Sequence, residues 1–210
     1  MTWTSAFGNA CGKLLYAIVR IMALARISPN VLTFMGLVIN VIAAVLFGYA
    51  TADNQRRMFF DAGLVIFGAG FFDLVDGRVA RASNKVTRFG AFFDSVLDRY
   101  SDAALFFGLL VYYARGNRFF YVVLTALVMI SAVMVSYTRA RAESLIGSCK
   151  VGFMERPERL VLLIIGALFN RMAPVLWVIA VLSTITVIHR MYYTWQKTQT
   201  MATGSTGNPA

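Results

Sequence analysis

The chain has 210 residues, 59% of them hydrophobic and 14% charged, with a formal net charge of +10. That apolar share exceeds the roughly 45–50% of soluble domains, which excludes an ordinary water-soluble globule and points to an integral membrane protein. In such a chain the basic excess reads as topology and contact with anionic headgroups rather than nucleic-acid binding. Cys11 and Cys149 have the spacing of neither a disulfide framework nor a metal site.

The N-terminal stretch lacks a clean apolar core followed by a small-residue cleavage site, so no secretory signal is expected. Residues 1–26 instead mix an apolar stripe with Lys13, Arg20 and Arg26, which predicts an amphipathic helix lying in the membrane interface. "ISPN" at 27–30 breaks the chain, because proline removes a donor and restricts its neighbour. Six apolar segments follow, at about 30–50, 58–82, 88–113, 118–139, 159–169 and 172–195. Crossing about 30 Å of hydrocarbon takes roughly 20 helical residues, so the pattern predicts an all-α polytopic membrane protein with six transmembrane helices. The fifth segment is short and interrupted by Gly166. Residues 1–197 read as one domain without internal repeats, and the polar stretch 198–210 reads as a disordered tail.

With the N-terminus placed on the cytoplasmic side, fifteen of the 20 Lys and Arg residues fall on that side. Arg56, Arg57, Arg115, Arg118 and Arg171 fall on the other. This positive-inside bias places both termini in the cytoplasm and the protein in the cell membrane.

"DLVDGRVARASNKVTRFGAFFDSVLD", residues 73–98, departs from the apolar background. An ionisable side chain at a bilayer centre costs roughly 2.5–3.5 kcal/mol on insertion scales, yet four aspartates gather here. Asp73 and Asp76 are three apart and Asp94 and Asp98 four apart, so each pair shares one face of its helix. The short polar connection around residues 83–87 makes the two helices antiparallel neighbours. Four carboxylates then converge near the cytoplasmic surface, where they must protonate or bind cations. Oxygen ligands without nearby His or Cys select hard ions, Mg²⁺ or Mn²⁺, and two bridged ions suit displacement at phosphorus. A proton or cation relay in a transporter, or pairing of Asp94 and Asp98 with Arg99 and Arg81, would use the same acids. Gly77, Ala80 and Gly90 beside the acids let a ligand approach the backbone closely, and Arg81 is placed to meet a phosphate.

The pattern Asp73-x2-Asp76-Gly77-x2-Ala80-Arg81-x8-Gly90-x3-Asp94-x3-Asp98 resembles the signature of the CDP-alcohol phosphotransferases (CDP-alcohol phosphatidyltransferases), with all eight fixed positions present. The similarity extends from about residue 10 to 195 and includes a "SPNVLT" entry to the first span. The resemblance implies transfer of a phosphatidyl-type group from a CDP-lipid such as CDP-diacylglycerol to an alcohol, with release of CMP. It implies Asp73, Asp76, Asp94 and Asp98 as ligands of two divalent ions and Asp98 also as the general base. Gly77, Ala80, Arg81 and Gly90 would line the CDP-lipid site, and the family implies a homodimer. Asp102 continues the Asp94–Asp98 ladder outside the signature and reads as a polar lining residue. His189, alone near the end of the last span, reads as interfacial.

A second constellation lies in "SYTRARAESLIGSCKVGFMERPERL", residues 136–160. Arg139, Arg141, Arg156 and Arg159 flank one cytoplasmic loop, either as topology signals or as guanidinium forks for an acceptor that carries phosphate. Glu143, Glu155 and Glu158 could hold them. "ARAE" and "ERPERL" in this stretch are similar to motifs of the phosphatidylinositol-phosphate synthases, which implies inositol phosphate as acceptor. Glycerol-3-phosphate is the rival acceptor, and a cation-coupled transporter is the rival of a different class.

Overall fold

The computed structural model of the chain describes residues 29–82 and 87–205, with the side chains of residues 29, 71–82 and 202–205 outside that description. The described residues form six helices: α1 (Pro29–Tyr49), α2 (Gln55–Ala82), α3 (Arg88–Arg115), α4 (Phe119–Ile146), α5 (Arg156–Leu168) and α6 (Met172–Ser205).

Local chemistry sets their ends. Pro29, pre-set for helical φ, starts α1. Thr87 caps α3 by accepting from the Gly90 amide at 2.9 Å. Asn117 and Asn170 take positive φ, 51° and 53°, at the α3–α4 and α5–α6 turns, a conformation that asparagine tolerates better than most side chains. Helix α5 begins three residues before its expected start because Glu158 reaches back to the Glu155 amide at 3.0 Å, half of a capping box, with Pro157 in the first turn.

The helices alternate between two ends of a bundle. At one end, called distal below, Arg115 donates to the Gly48 carbonyl at 2.6 Å, so α1 and α3 finish together. Phe59 near the start of α2 packs on Tyr112 near the end of α3, and Tyr113 stacks on Tyr121 near the start of α4. Gln55 donates to Asn170 in the α5–α6 turn at 2.7 Å. Helices α2 and α3 are thus antiparallel neighbours at the distal end. Their approach beside Asp73 and Asp76 lies outside the described side chains.

Between the ends runs one core, including Phe47, Phe59, Ile66, Leu105, Leu109, Val128, Leu163 and Leu176. Helices α1 and α3 meet closely at Gly108, where an added Cβ would overlap the Ala44 carbonyl oxygen and sit 2.8 Å from Ala44 Cα. The outer surface is apolar too. Val31, Phe34, Val38, Val41, Val45 and Tyr49 form an exposed stripe on α1 at helical spacing. Such a surface suits hydrocarbon rather than water. Asn30–Tyr49, Phe119–Ile146 and Met172–Met201 are long and apolar enough to cross a bilayer. The chain is an integral membrane protein. Helices α2 and α3 carry the aspartate-rich stretch, and α5 has only 13 residues.

One expectation is corrected. Helix α6 continues to Ser205, well into the stretch 198–210 read as disordered. Its proline, Pro174, lies in the first turn and none follows before Ser205, and Thr194, Thr198 and Thr200 turn their hydroxyls back onto carbonyls four residues earlier instead of competing with the helix. The interfacial helix expected at 1–26 and residues 206–210 lie outside the described residues.

Candidate active site

The end of the bundle opposite the distal turns collects the charge. Asp94, Asp98 and Asp102 stand on α3 at successive four-residue steps, hence on one face. Asp98 and Asp102 reach the α5 arginines: Arg156 Nη1 lies 2.9 Å from Asp98 Oδ1, and Arg159 Nη2 lies 2.5 Å from Asp102 Oδ2. Arg156 Nε is 3.7 Å from Asp102 Oδ1, so Asp102 stands between both guanidiniums. Arg159 is buried, and its Nε has no hydrogen-bond partner among the described residues.

Glu155, just ahead of α5, is a second node. Its Oε1 accepts from Arg139 of α4 at 2.8 Å and from Arg190 of α6 at 2.7 Å. Arg190 is buried and also donates to the Val151 and Val135 carbonyls, at 2.8 and 2.6 Å. Thr186, one turn earlier, accepts from the Met154 amide at 3.1 Å. Gly152, at φ 103°, lets the loop press this closely; a Cβ there would stand 2.5 Å from Thr186 Cγ2 and 3.2 Å from Arg190 Nε. Helix α6 therefore pins the loop that delivers Glu155, Arg156 and Arg159.

These groups line a cavity of about 180 Å³ with Arg99, Val135, Ser136 and Pro157. Among the described residues, five guanidiniums (Arg99, Arg139, Arg156, Arg159, Arg190) face three carboxylates (Asp98, Asp102, Glu155), two positive charges in excess. A phosphate monoester dianion matches that excess in charge, and guanidinium forks match it in shape.

Of the four arginines expected to hold an acceptor, the fold brings Arg139, Arg156 and Arg159 together and leaves Arg141 out. Arg141 lines a separate apolar groove with Tyr137, Leu145 and Trp195. The cause is helix geometry: residues two apart project about 200° from each other, so Arg139 and Arg141 cannot face one cavity. Gly90 lies in the first turn of α3, where a Cβ would come 3.0 Å from the capping Thr87 hydroxyl. His189 is exposed. Arg190, one of the fifteen basic residues on the side read as cytoplasmic, also belongs to this site, and the signal for it is a basic side chain on an apolar span.

Asp94 and Asp98 are partly exposed, which leaves room for water ligands, and their all-oxygen chemistry fits a hard divalent ion. Beside Asp98 the structure already sets a cation, the Arg156 guanidinium. Among the described residues, no group of three His, Cys, Asp or Glu side chains is placed to hold a metal ion. Asp73, Asp76, Gly77, Ala80 and Arg81 lie on the α2 helix, their side chains outside that description.

Comparison with known proteins bears on this site. The archaetidylinositol phosphate synthase of Pyrococcus horikoshii is 39% identical over 172 residues, covering 81% of this chain and 85% of that one. The phosphatidylinositol phosphate synthase of Mycobacteroides abscessus is 35% identical over 176 residues, covering 80% and 77%. A crystal structure of the Mycobacterium tuberculosis phosphatidylinositol phosphate synthase with CDP-DAG bound superposes with a TM-score of 0.78 at 31% identity, covering 87% of this chain and 94% of that one. The same enzyme in complex with manganese and citrate gives a TM-score of 0.74. The family model described as CDP-alcohol phosphatidyltransferase matches residues 26–201. The chain belongs to the CDP-alcohol phosphatidyltransferase family.

Proposed function

We propose that this enzyme transfers a phosphatidyl-type group from a CDP-lipid, such as CDP-diacylglycerol, to a hydroxyl of inositol phosphate and releases CMP. The observation that carries the acceptor is the arginine-rich cavity beside Asp98, whose charge excess suits an acceptor bearing its own phosphate. The relatives named as inositol phosphate synthases supply the polyol.

Asp73, Asp76, Asp94 and Asp98 would hold two divalent ions, Mg²⁺ or Mn²⁺. When bound, such ions offset the diphosphate charge and stabilise the departing CMP oxygen. Asp98 takes the proton of the acceptor hydroxyl as its oxygen bonds to the lipid-side phosphorus and the bond to CMP breaks. Arg156, touching Asp98, would hold the acceptor phosphate close to that base, with Arg139, Arg159 and Arg190 completing the grip. Asp102 fixes the approach of Arg156 and Arg159. Gly77, Ala80, Arg81 and Gly90 would line the CDP-lipid site.

In this reading all six helices span the cell membrane as one domain, with an interfacial helix before them. Both termini and the site face the cytoplasm, and the working unit is a homodimer. The test is CMP release from CDP-diacylglycerol with inositol phosphate, glycerol-3-phosphate, inositol or serine. The highest kcat/KM is expected for inositol phosphate. A preference for glycerol-3-phosphate would make this a glycerol phosphate enzyme, and a preference for inositol or serine would remove the role of the arginines.

A further inference from the structure

The distal end holds a second cavity, of about 460 Å³, walled by Thr51, Gln55, Tyr112, Arg115, Gly116 and Arg118. It lies across the bundle from Asp98, so no step of the transfer reaction uses it. Among the described residues no carboxylate lines it, and Asp53, the acid of the α1–α2 turn, is not part of its wall. Two guanidiniums without a facing acid already favour an anion.

The backbone adds to that field. Helix α2 starts at Gln55 and α4 starts after Arg118, so two helix N-termini, each of 28 residues, open on the same cavity. Neither has an acidic residue in its first turn, and α4 has no side-chain cap. Helix N-termini carry partial positive charge and outward-pointing amides, the usual setting for phosphate. The wall is also held in place. Arg115 is tied to the Gly48 carbonyl and lies 6.0 Å over the Tyr49 ring, while Gln55 bridges Tyr112 and Asn170. Tyr49, Phe119, Phe120 and Phe169 stand exposed around this end, and aromatic side chains mark the level of lipid headgroups.

We infer that this cavity is an anion site for a phosphate group, and that a phospholipid of the distal leaflet supplies it. The cavity opens among the belt aromatics, where lipid phosphates lie. Binding there would tie the α1–α2 and α3–α4 turns together.

The site is read locally through Ala52→Cys, an exposed position on the cavity wall, in a chain with Cys11→Ser and Cys149→Ala. Its alkylation by a charged maleimide is timed in nanodiscs of phosphatidylcholine, with or without phosphatidylglycerol, and in phosphatidylcholine with inorganic phosphate. Phosphatidylglycerol is expected to slow alkylation at least about fivefold, a differential affinity of about 1 kcal/mol. The protection should be lost in Arg118→Gln and kept in Arg57→Gln, an exposed arginine at the same end but off the wall. Protection by inorganic phosphate instead would keep the anion site and assign it a soluble source. Absence of protection by either, its survival in Arg115→Gln/Arg118→Gln, or its loss in Arg57→Gln would overturn the site. CMP release by each variant shows that it is folded, since the reaction takes place at the other end.

Discussion

Asp102 Oδ2 lies 2.5 Å from Arg159 Nη2, with the two side chains only 7% and 1% exposed. The pair joins α3, which carries Asp94 and Asp98, to α5, which carries Arg156 and Arg159, so the groups proposed to hold metal and those proposed to hold the acceptor share one frame. Removing one partner of a buried pair costs about 3–5 kcal/mol, because the other charge is left uncompensated. Asp102→Ala should therefore lower stability by about that amount, while Asp102→Ala/Arg159→Met should lose less than the two single changes together. Chemical denaturation in detergent micelles checks both.

Arg156→Ala removes the guanidinium that touches Asp98. A hydrogen bond to a charged group contributes about 1.5–3 kcal/mol, so the KM for the phosphorylated acceptor should rise about 10- to 100-fold while CDP-lipid binding changes little. Arg156→Lys should restore only part of the loss, since an ammonium lacks the planar fork. Initial rates with each substrate varied in turn decide this. An unchanged acceptor KM would remove Arg156 from the acceptor site.

Glu155→Gln takes away the carboxylate shared by Arg139 and Arg190. Both arginines should then lose their fixed orientation, and kcat/KM for the acceptor should fall about tenfold, equivalent to about 1.4 kcal/mol. The Tm should fall as well, because Arg190 stays buried with only carbonyl partners. Steady-state kinetics and a melting curve of the same preparation test the two effects together.

Gly108→Val is a packing test remote from the chemistry. The added side chain would strike Ala44 backbone, which cannot rotate away, so α1 and α3 must separate. Overpacking of this kind costs about 1–3 kcal/mol or more. A lower Tm with near-normal substrate KM values in the surviving fraction is expected.

Much of this was legible in the sequence because its signals are local. Apolar segments, the first of them entered through "ISPN", place α1, α2 and α3 to within three residues, whereas α4 runs seven residues past its expected end, capping by Glu158 lengthens α5 and a polar sequence continues α6. The four-residue spacing of Asp94 and Asp98 alone puts them on one face of a helix. What the sequence hid is pairing across distance. Nothing local says that Arg190 crosses to Glu155, 35 residues away, or that Asp102 meets Arg159, 57 residues away. The grouping of Arg139 with Arg141 shows the opposite error: proximity in the chain suggested one site, while helical rotation assigns them to different faces.

The central claim, that carboxylates of α2 and α3 hold divalent ions where CMP departs, is tested most directly by CMP release from CDP-diacylglycerol with inositol phosphate present. Rates are taken over a Mn²⁺ titration after EDTA treatment, in the wild type, Asp94→Asn and Asp98→Asn. The account predicts a rate that saturates with Mn²⁺ and falls about 10²–10⁴-fold in Asp98→Asn, the range expected for loss of a general base, with Asp94→Asn also needing far more metal. Full release in EDTA, or near wild-type rates in both variants, would contradict it.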